Sequence, residues 1–157
     1  MGGDFAPKAA VLGAIEACKV LSPEQKLVLI GDKNQALPLI AEQGIDPETF
    51  EFVHTTEVIG MGEHPTKAIV QKPTSSISLG FQLLKDGQID SFSSAGNTGA
   101  MLVGAMFSVK NIPGVIRPAI ATNVPKLKSG FGIMLGVGAK ADCKPGTLLQ
   151  VGILGSL

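Results

Sequence analysis

Apolar residues recur along this chain at two spacings, helical and strand-like, and the two alternate. Val11, Ile15 and Cys18 stand at i, i+4 and i+7 behind Pro7, which predicts a helix ended by Ser22-Pro23. Lys26 to Ile30 reads as a short apolar strand that closes on Gly31-Asp32. A helix follows from about Asn34 to Gln43, crossed by Pro38 and stopped by Gly44, and Phe50 to Val53 is the next strand. Thr74, Ser75 and Ser76 offer an N-cap for a helix whose Ile77, Phe81 and Leu84 share one face, with Gly87 at its end. Ile89 and Phe92 with Ser91 and Ser93 read as a strand, after which Met101, Leu102, Ala105, Met106 and Val109 return to helical spacing. Ala119 to Val124 and Phe131 to Val137 are two further strands, and Pro145 to Leu157 begins another helix. Near-continuous apolar strands between helices imply a parallel sheet covered on both faces, within one α/β domain over residues 1–157. Met1 falls in a turn with no strand ahead of it and Leu157 inside an uncapped apolar helix, so the chain reads as a segment of a longer protein with an apolar edge exposed.

Composition narrows the class without naming a chemistry. The 157 residues carry no net charge, which gives no basic face for nucleic acid. No run approaches the roughly 20 uninterrupted apolar residues of a membrane span. The opening Met1-Gly2-Gly3-Asp4-Phe5-Ala6-Pro7-Lys8 lacks the charged start and apolar stretch of a signal peptide. Cys18 and Cys143 lie far apart and outside any CxxC, so neither a metal site nor a disulfide framework is expected, and a reducing, cytoplasmic compartment fits.

The candidate chemistry gathers at two loops that each follow a strand and open a helix. The first is Ser94-Ala95-Gly96-Asn97-Thr98-Gly99-Ala100. Its glycines allow close backbone approach, and the free N–H groups and positive dipole end of the following helix favour an anion such as phosphate. Asn97 and Thr98 add side-chain donors, although the same residues also suit a plain turn with Thr98 as N-cap. The second loop runs from Gly138 to Pro145, where Lys140 and Lys144 offer positive charge or stand as ordinary surface lysines. Gly136-Val137-Gly138-Ala139-Lys140-Ala141 also satisfies the GxGxx(G/A) pattern of dinucleotide sites, which keeps a nicotinamide-dependent oxidoreductase open as an alternative. His64 sits in a Gly- and Pro-rich loop from Glu57 to Lys67, where a polar cluster is either functional or simply solvated; His54 and Cys143 read as structural. There is no Walker A, GxSxG or HExxH sequence.

Taken in order, Met1 to Pro7, Gly31-Asp32, Glu57 to Ile59, Glu63 to Pro65, Ser75-Ser76, Ser94 to Ala100, Arg117-Pro118 and Ala141 to Pro145 resemble the phosphate acyltransferases of bacterial phospholipid synthesis, the PlsX family. The resemblance covers nearly the whole chain as the N-terminal portion of such an enzyme. It implies a three-layer α/β/α Rossmann-like fold similar to the phosphate acetyltransferase and isocitrate dehydrogenase group, whose opening strand precedes the part matched by Met1. The implied reaction moves a fatty acyl group from acyl carrier protein to inorganic phosphate, giving acyl phosphate, with no cofactor and no metal. The implied setting is a cytoplasmic homodimer at the membrane periphery, with membrane contact through the C-terminal half. On this reading Gly96, Asn97, Thr98 and Gly99 capture phosphate, His64 and Lys144 support charge or protonate the leaving thiol, and Asp142 orients Lys144. The family pattern has Asp where this chain has Gly136 and Asn where it has Lys140. A catalytically inactive fragment or phosphate-binding module is the alternative within the same resemblance.

Overall fold

The computed structural model describes residues 2–136 and 143–156. Among them the order is α1 (Lys8–Cys18), β1 (Val28–Gly31), α2 (Lys33–Glu42), a 3-10 turn (Pro47–Thr49), β2 (Glu51–His54), α3 (Pro65–Gln71), α4 (Ser76–Lys85), α5 (Thr98–Ser108), β3 (Ala121–Pro125), β4 (Phe131–Leu135) and α6 (Pro145–Gly155). The α/β class expected from the apolar pattern is the class observed.

β1 and β2 pair in parallel, Val28 opposite Glu51 through Gly31 opposite His54. The crossover between them is α2, started by Asp32, whose carboxylate accepts the Asn34 N–H at 3.0 Å. Pro38 lies inside α2 and does not end it. Val11 and Ile15 of α1, Ala36 and Ile40 of α2, Leu29 and Phe50 form one core. Strand alternation turns the buried Ile30 to the opposite face, where α4 packs on β1. A second core joins Ile59, Ala68 of α3, Ile77 and Phe81 of α4, and Ala100 of α5. α5 approaches α4 closely at Gly104, where any Cβ would run into the Phe81 ring.

Three local expectations change. Residues 89–93 carry no ladder, and Asp90 stands in a bend. They line a cavity of about 820 Å³ whose other walls include Ala10, Gly13 and Ala14 of α1 and Val28 to Ile30 of β1, and among the described residues no strand pairs with them. β3 and β4 pair antiparallel, Ala121 opposite Leu135 through Pro125 opposite Phe131, because only residues 126–130 separate them, a link long enough for a hairpin and too short for a parallel crossover. α3 begins inside the loop read at Glu57 to Lys67 and runs on through Gln71, where no element is expected from the sequence. Its helical start is Pro65, placed in the first turn where the missing N–H removes no intrahelical bond.

Candidate functional site: the α5 entrance and the loop that braces it

The turn at residues 94–100 enters α5 with Asn97, not Thr98, as the N-cap. The Asn97 side-chain oxygen accepts the Ala100 N–H at 2.9 Å. Its amide nitrogen donates to three carbonyls of the preceding loop, Gly60 at 3.0 Å, Met61 at 3.3 Å and Glu63 at 3.0 Å. With both ends engaged and only 4% of its surface exposed, Asn97 fastens the loop to the helix. The Thr98 side chain is exposed, and among the described residues the Thr98 and Gly99 N–H groups have no protein acceptor. Gly96 is buried, with its N–H held by the Ser94 hydroxyl at 3.1 Å. Gly99 abuts Pro65, leaving no room there for a Cβ. The chemistry open at this point is therefore an anion on the first-turn N–H groups, with the Thr98 hydroxyl beside them.

The loop from Thr55 to His64 is braced from a second side. The Thr55 hydroxyl donates to the Thr74 carbonyl at 2.6 Å, and the Glu57 carboxylate accepts both the Thr74 hydroxyl at 2.7 Å and the Thr74 N–H at 3.1 Å. Glu63 accepts from the Lys72 ammonium and from the Gly60 N–H, each at 2.6 Å, and Lys72 also donates to the Val58 carbonyl at 2.9 Å. The Lys72 hydrogen bond, then that of Gly60, holds the Glu63 carboxyl below its ordinary value of 4.5. Neither the Lys72 ion pair nor the Thr74 bonds are legible in the sequence. Their partners are separated by 9 to 19 residues, and α3, which brings Lys72 back, carries no clear helical apolar spacing.

His64 ends this loop as the N-cap of α3, exposed, with no side-chain capping bond. It immediately precedes Pro65, the residue against Gly99, so His64 and the turn at 96–99 belong to one neighbourhood. Lys144 does not join them by any contact described. It is the exposed N-cap of α6, which packs on β4, while Gln150 holds the 114–116 segment by accepting from the Ile116 N–H and donating to the Gly114 carbonyl. Asp142 and Lys140 lie outside the described residues, as does most of the GxGxxA match. β4 leads into that match as a hairpin strand. A dinucleotide fingerprint instead needs a parallel βαβ unit, so the nicotinamide alternative loses its structural context. His54 caps elsewhere, its Nδ1 accepting the Lys33 N–H at 3.1 Å, and Cys143 is a half-buried free thiol. Among the described residues no cluster of three His, Cys, Asp or Glu side chains is arranged to hold a metal, and no helix is long and apolar enough to cross a membrane.

A family model described as "Fatty acid synthesis protein" matches residues 1–157. The chain belongs to this family. Within it, a protein named phosphate acyltransferase from Salinibacter ruber is 44% identical over 158 residues, which cover all of this chain and 46% of that relative. Its namesake from Clostridioides difficile is 39% identical over 157 residues, again all of this chain and 46% of the relative. That of Endomicrobium trichonymphae is 44% identical over 161 residues and is covered to 47%. The chain spans about half the length of the curated relatives it matches.

Proposed function

We propose that this chain carries the phosphate-binding part of an acyltransferase that moves a fatty acyl group from acyl carrier protein to inorganic phosphate, forming acyl phosphate for phosphatidic acid and phospholipid synthesis. The observation that carries the reading is the family match along the whole chain, to relatives named phosphate acyltransferase. The open first turn of α5 supports it, because the reaction needs an anion held and aligned more than it needs a strong base. Phosphate is partly dianionic at neutral pH. One of its oxygens attacks the thioester carbonyl carbon, the C–S bond breaks, and the departing thiolate takes a proton. In this assignment the N–H groups of Thr98 and Gly99 and the Thr98 hydroxyl hold phosphate. Gly96 and Asn97 shape the turn, and His64, in the same neighbourhood, is assigned as the proton donor to the thiolate. Lys144 and Asp142 complete the assignment as charge support and its orienter. The partners are acyl carrier protein, a second copy of the complete protein and the cytoplasmic membrane surface.

The test is acyl phosphate formation by a complete form of the protein supplied with acyl carrier protein thioester and phosphate. Phosphate-dependent release of free carrier protein, reduced by Thr98→Ala, is the expected result. Thioester that survives in the presence of phosphate contradicts the reading. Phosphate-dependent thermal stabilisation without thioester loss would favour the binding-module alternative.

A further inference from the structure

We propose that Glu63 and Lys72 are positioning residues for this site: their ion pair is a latch that sets the 58–63 loop, and through it His64, against the first turn of α5. The inference rests on the phosphate reading above. One carboxylate oxygen and one ammonium control the loop at three places, since Glu63 receives the Gly60 N–H and the Lys72 ammonium while Lys72 also reaches the Val58 carbonyl. The opposite side of the same loop presents its carbonyls at Gly60, Met61 and Glu63 to the Asn97 amide, which caps α5. The Gly60 peptide therefore links the two systems, its N–H bound to the latch and its carbonyl to the cap. Lys72 is also the C-cap residue of α3, and its carbonyl accepts the Ser75 N–H at 3.1 Å and the Ser78 hydroxyl at 2.8 Å. The Lys72 backbone thus joins α3 to the start of α4, while its side chain holds the loop whose carbonyls meet the α5 cap. Both side chains are partly exposed, so the pair does not owe its place to burial. Neither side chain touches the open N–H groups, so any effect on anion binding passes through Asn97 and His64.

The experiment is a titration of the chain with inorganic phosphate, followed by the amide shifts of Thr98 and Gly99, in the unmodified protein, Lys72→Met, Lys72→Arg and Glu63→Gln. Lys72→Met should weaken phosphate binding by about fivefold, in the range of couplings carried through a packed network, with Lys72→Arg restoring most of it. The unmodified protein should lose phosphate affinity as Glu63 takes up its proton in acid, and Glu63→Gln, which keeps an acceptor for Gly60 but removes the charge, should abolish that fall. That pH profile is a readout that loop packing alone would not move, and it serves if Lys72→Met folds poorly. Phosphate binding and pH profile that are unchanged in all three variants overturn the latch and leave the functional reading standing. No saturable phosphate response in the unmodified protein overturns the functional reading and the positioning role together.

Discussion

Residues 2–108 enclose two apolar cores, whereas residues 112–136 and 143–156 bury no apolar side chain. In the described structure every buried apolar residue lies between Val11 and Ala100. Beyond that point Ile112, Ile116, Leu127, Phe131, Ile133 and Ile153 are all more than half exposed, and Leu127 at the hairpin tip is fully so. The apolar spacing of Phe131 to Leu135 is as strand-like as that of Val28 to Gly31, yet the former meets only α6 among the described helices and stays largely exposed, while the latter is covered by α1, α2 and α4. Hydrophobic spacing states how much cover an element demands; whether this stretch of chain supplies it is a separate matter. Charge divides in the same way. Residues 112–157 hold five of the lysines and arginines and, of the carboxylates, only Asp142.

The largest effect that sharpens this comparison is expected at Ile40, which is fully buried. Ile40→Ala should lower stability by about 2–5 kcal/mol in urea unfolding, whereas Ile133→Ala, at a site 65% exposed, should stay within about 0.5 kcal/mol. Equal losses at the two sites would break the division. Next comes Asn97→Ala, which removes an N-cap and leaves three loop carbonyls without their donor, for about 2 kcal/mol. Thr98→Ala, one residue on and exposed, should leave the unfolding midpoint almost unmoved while weakening phosphate about tenfold. If the two variants behaved alike, cap and ligand roles would not be separable at this turn.

A smaller effect is expected from acid, and it should fall on the first region. Asp32 is held below its ordinary value of 3.8 chiefly by the Gln35 side-chain hydrogen bond, and Glu63 below 4.5 chiefly by Lys72. A carboxyl whose pKa is lower folded than unfolded stabilises the fold above its unfolded value and loses that contribution as pH falls through the folded one. Unfolding midpoints should therefore drop below pH 4.5, and Glu63→Gln should flatten part of that drop. The mildest expected change is at the hairpin. Phe131→Ser should raise solubility at constant stability, as read by light scattering and urea unfolding, because that ring is 67% exposed.

Most of the fold was legible because its elements are punctuated locally. Asp32 and Ser75 cap the helices they precede, and Gly44 and Gly87 lie just beyond the ends of α2 and α4. The strand expected at 89–93 depended on a neighbour rather than on its own residues, which alternation cannot reveal. Apolar spacing does not reveal the hairpin, because antiparallel and parallel strands share it; the short 126–130 link is the better signal. At the site, the turn itself was visible in Gly96 to Gly99, but the division of labour inside it was not. Asn97 has the chemistry of a phosphate donor, and only the three carbonyls facing it reveal that its donors are engaged.

The central claim is that the first turn of α5 takes phosphate on the N–H groups of Thr98 and Gly99. The most direct measurement is a two-dimensional amide spectrum recorded across a phosphate titration, with chloride at matched ionic strength to account for anions attracted to the basic second region. Saturable shifts confined to Thr98, Gly99 and the adjoining loop, and weakened in Thr98→Ala, are the predicted result. Shifts that track the lysines of residues 110–128, or that chloride reproduces, would contradict it.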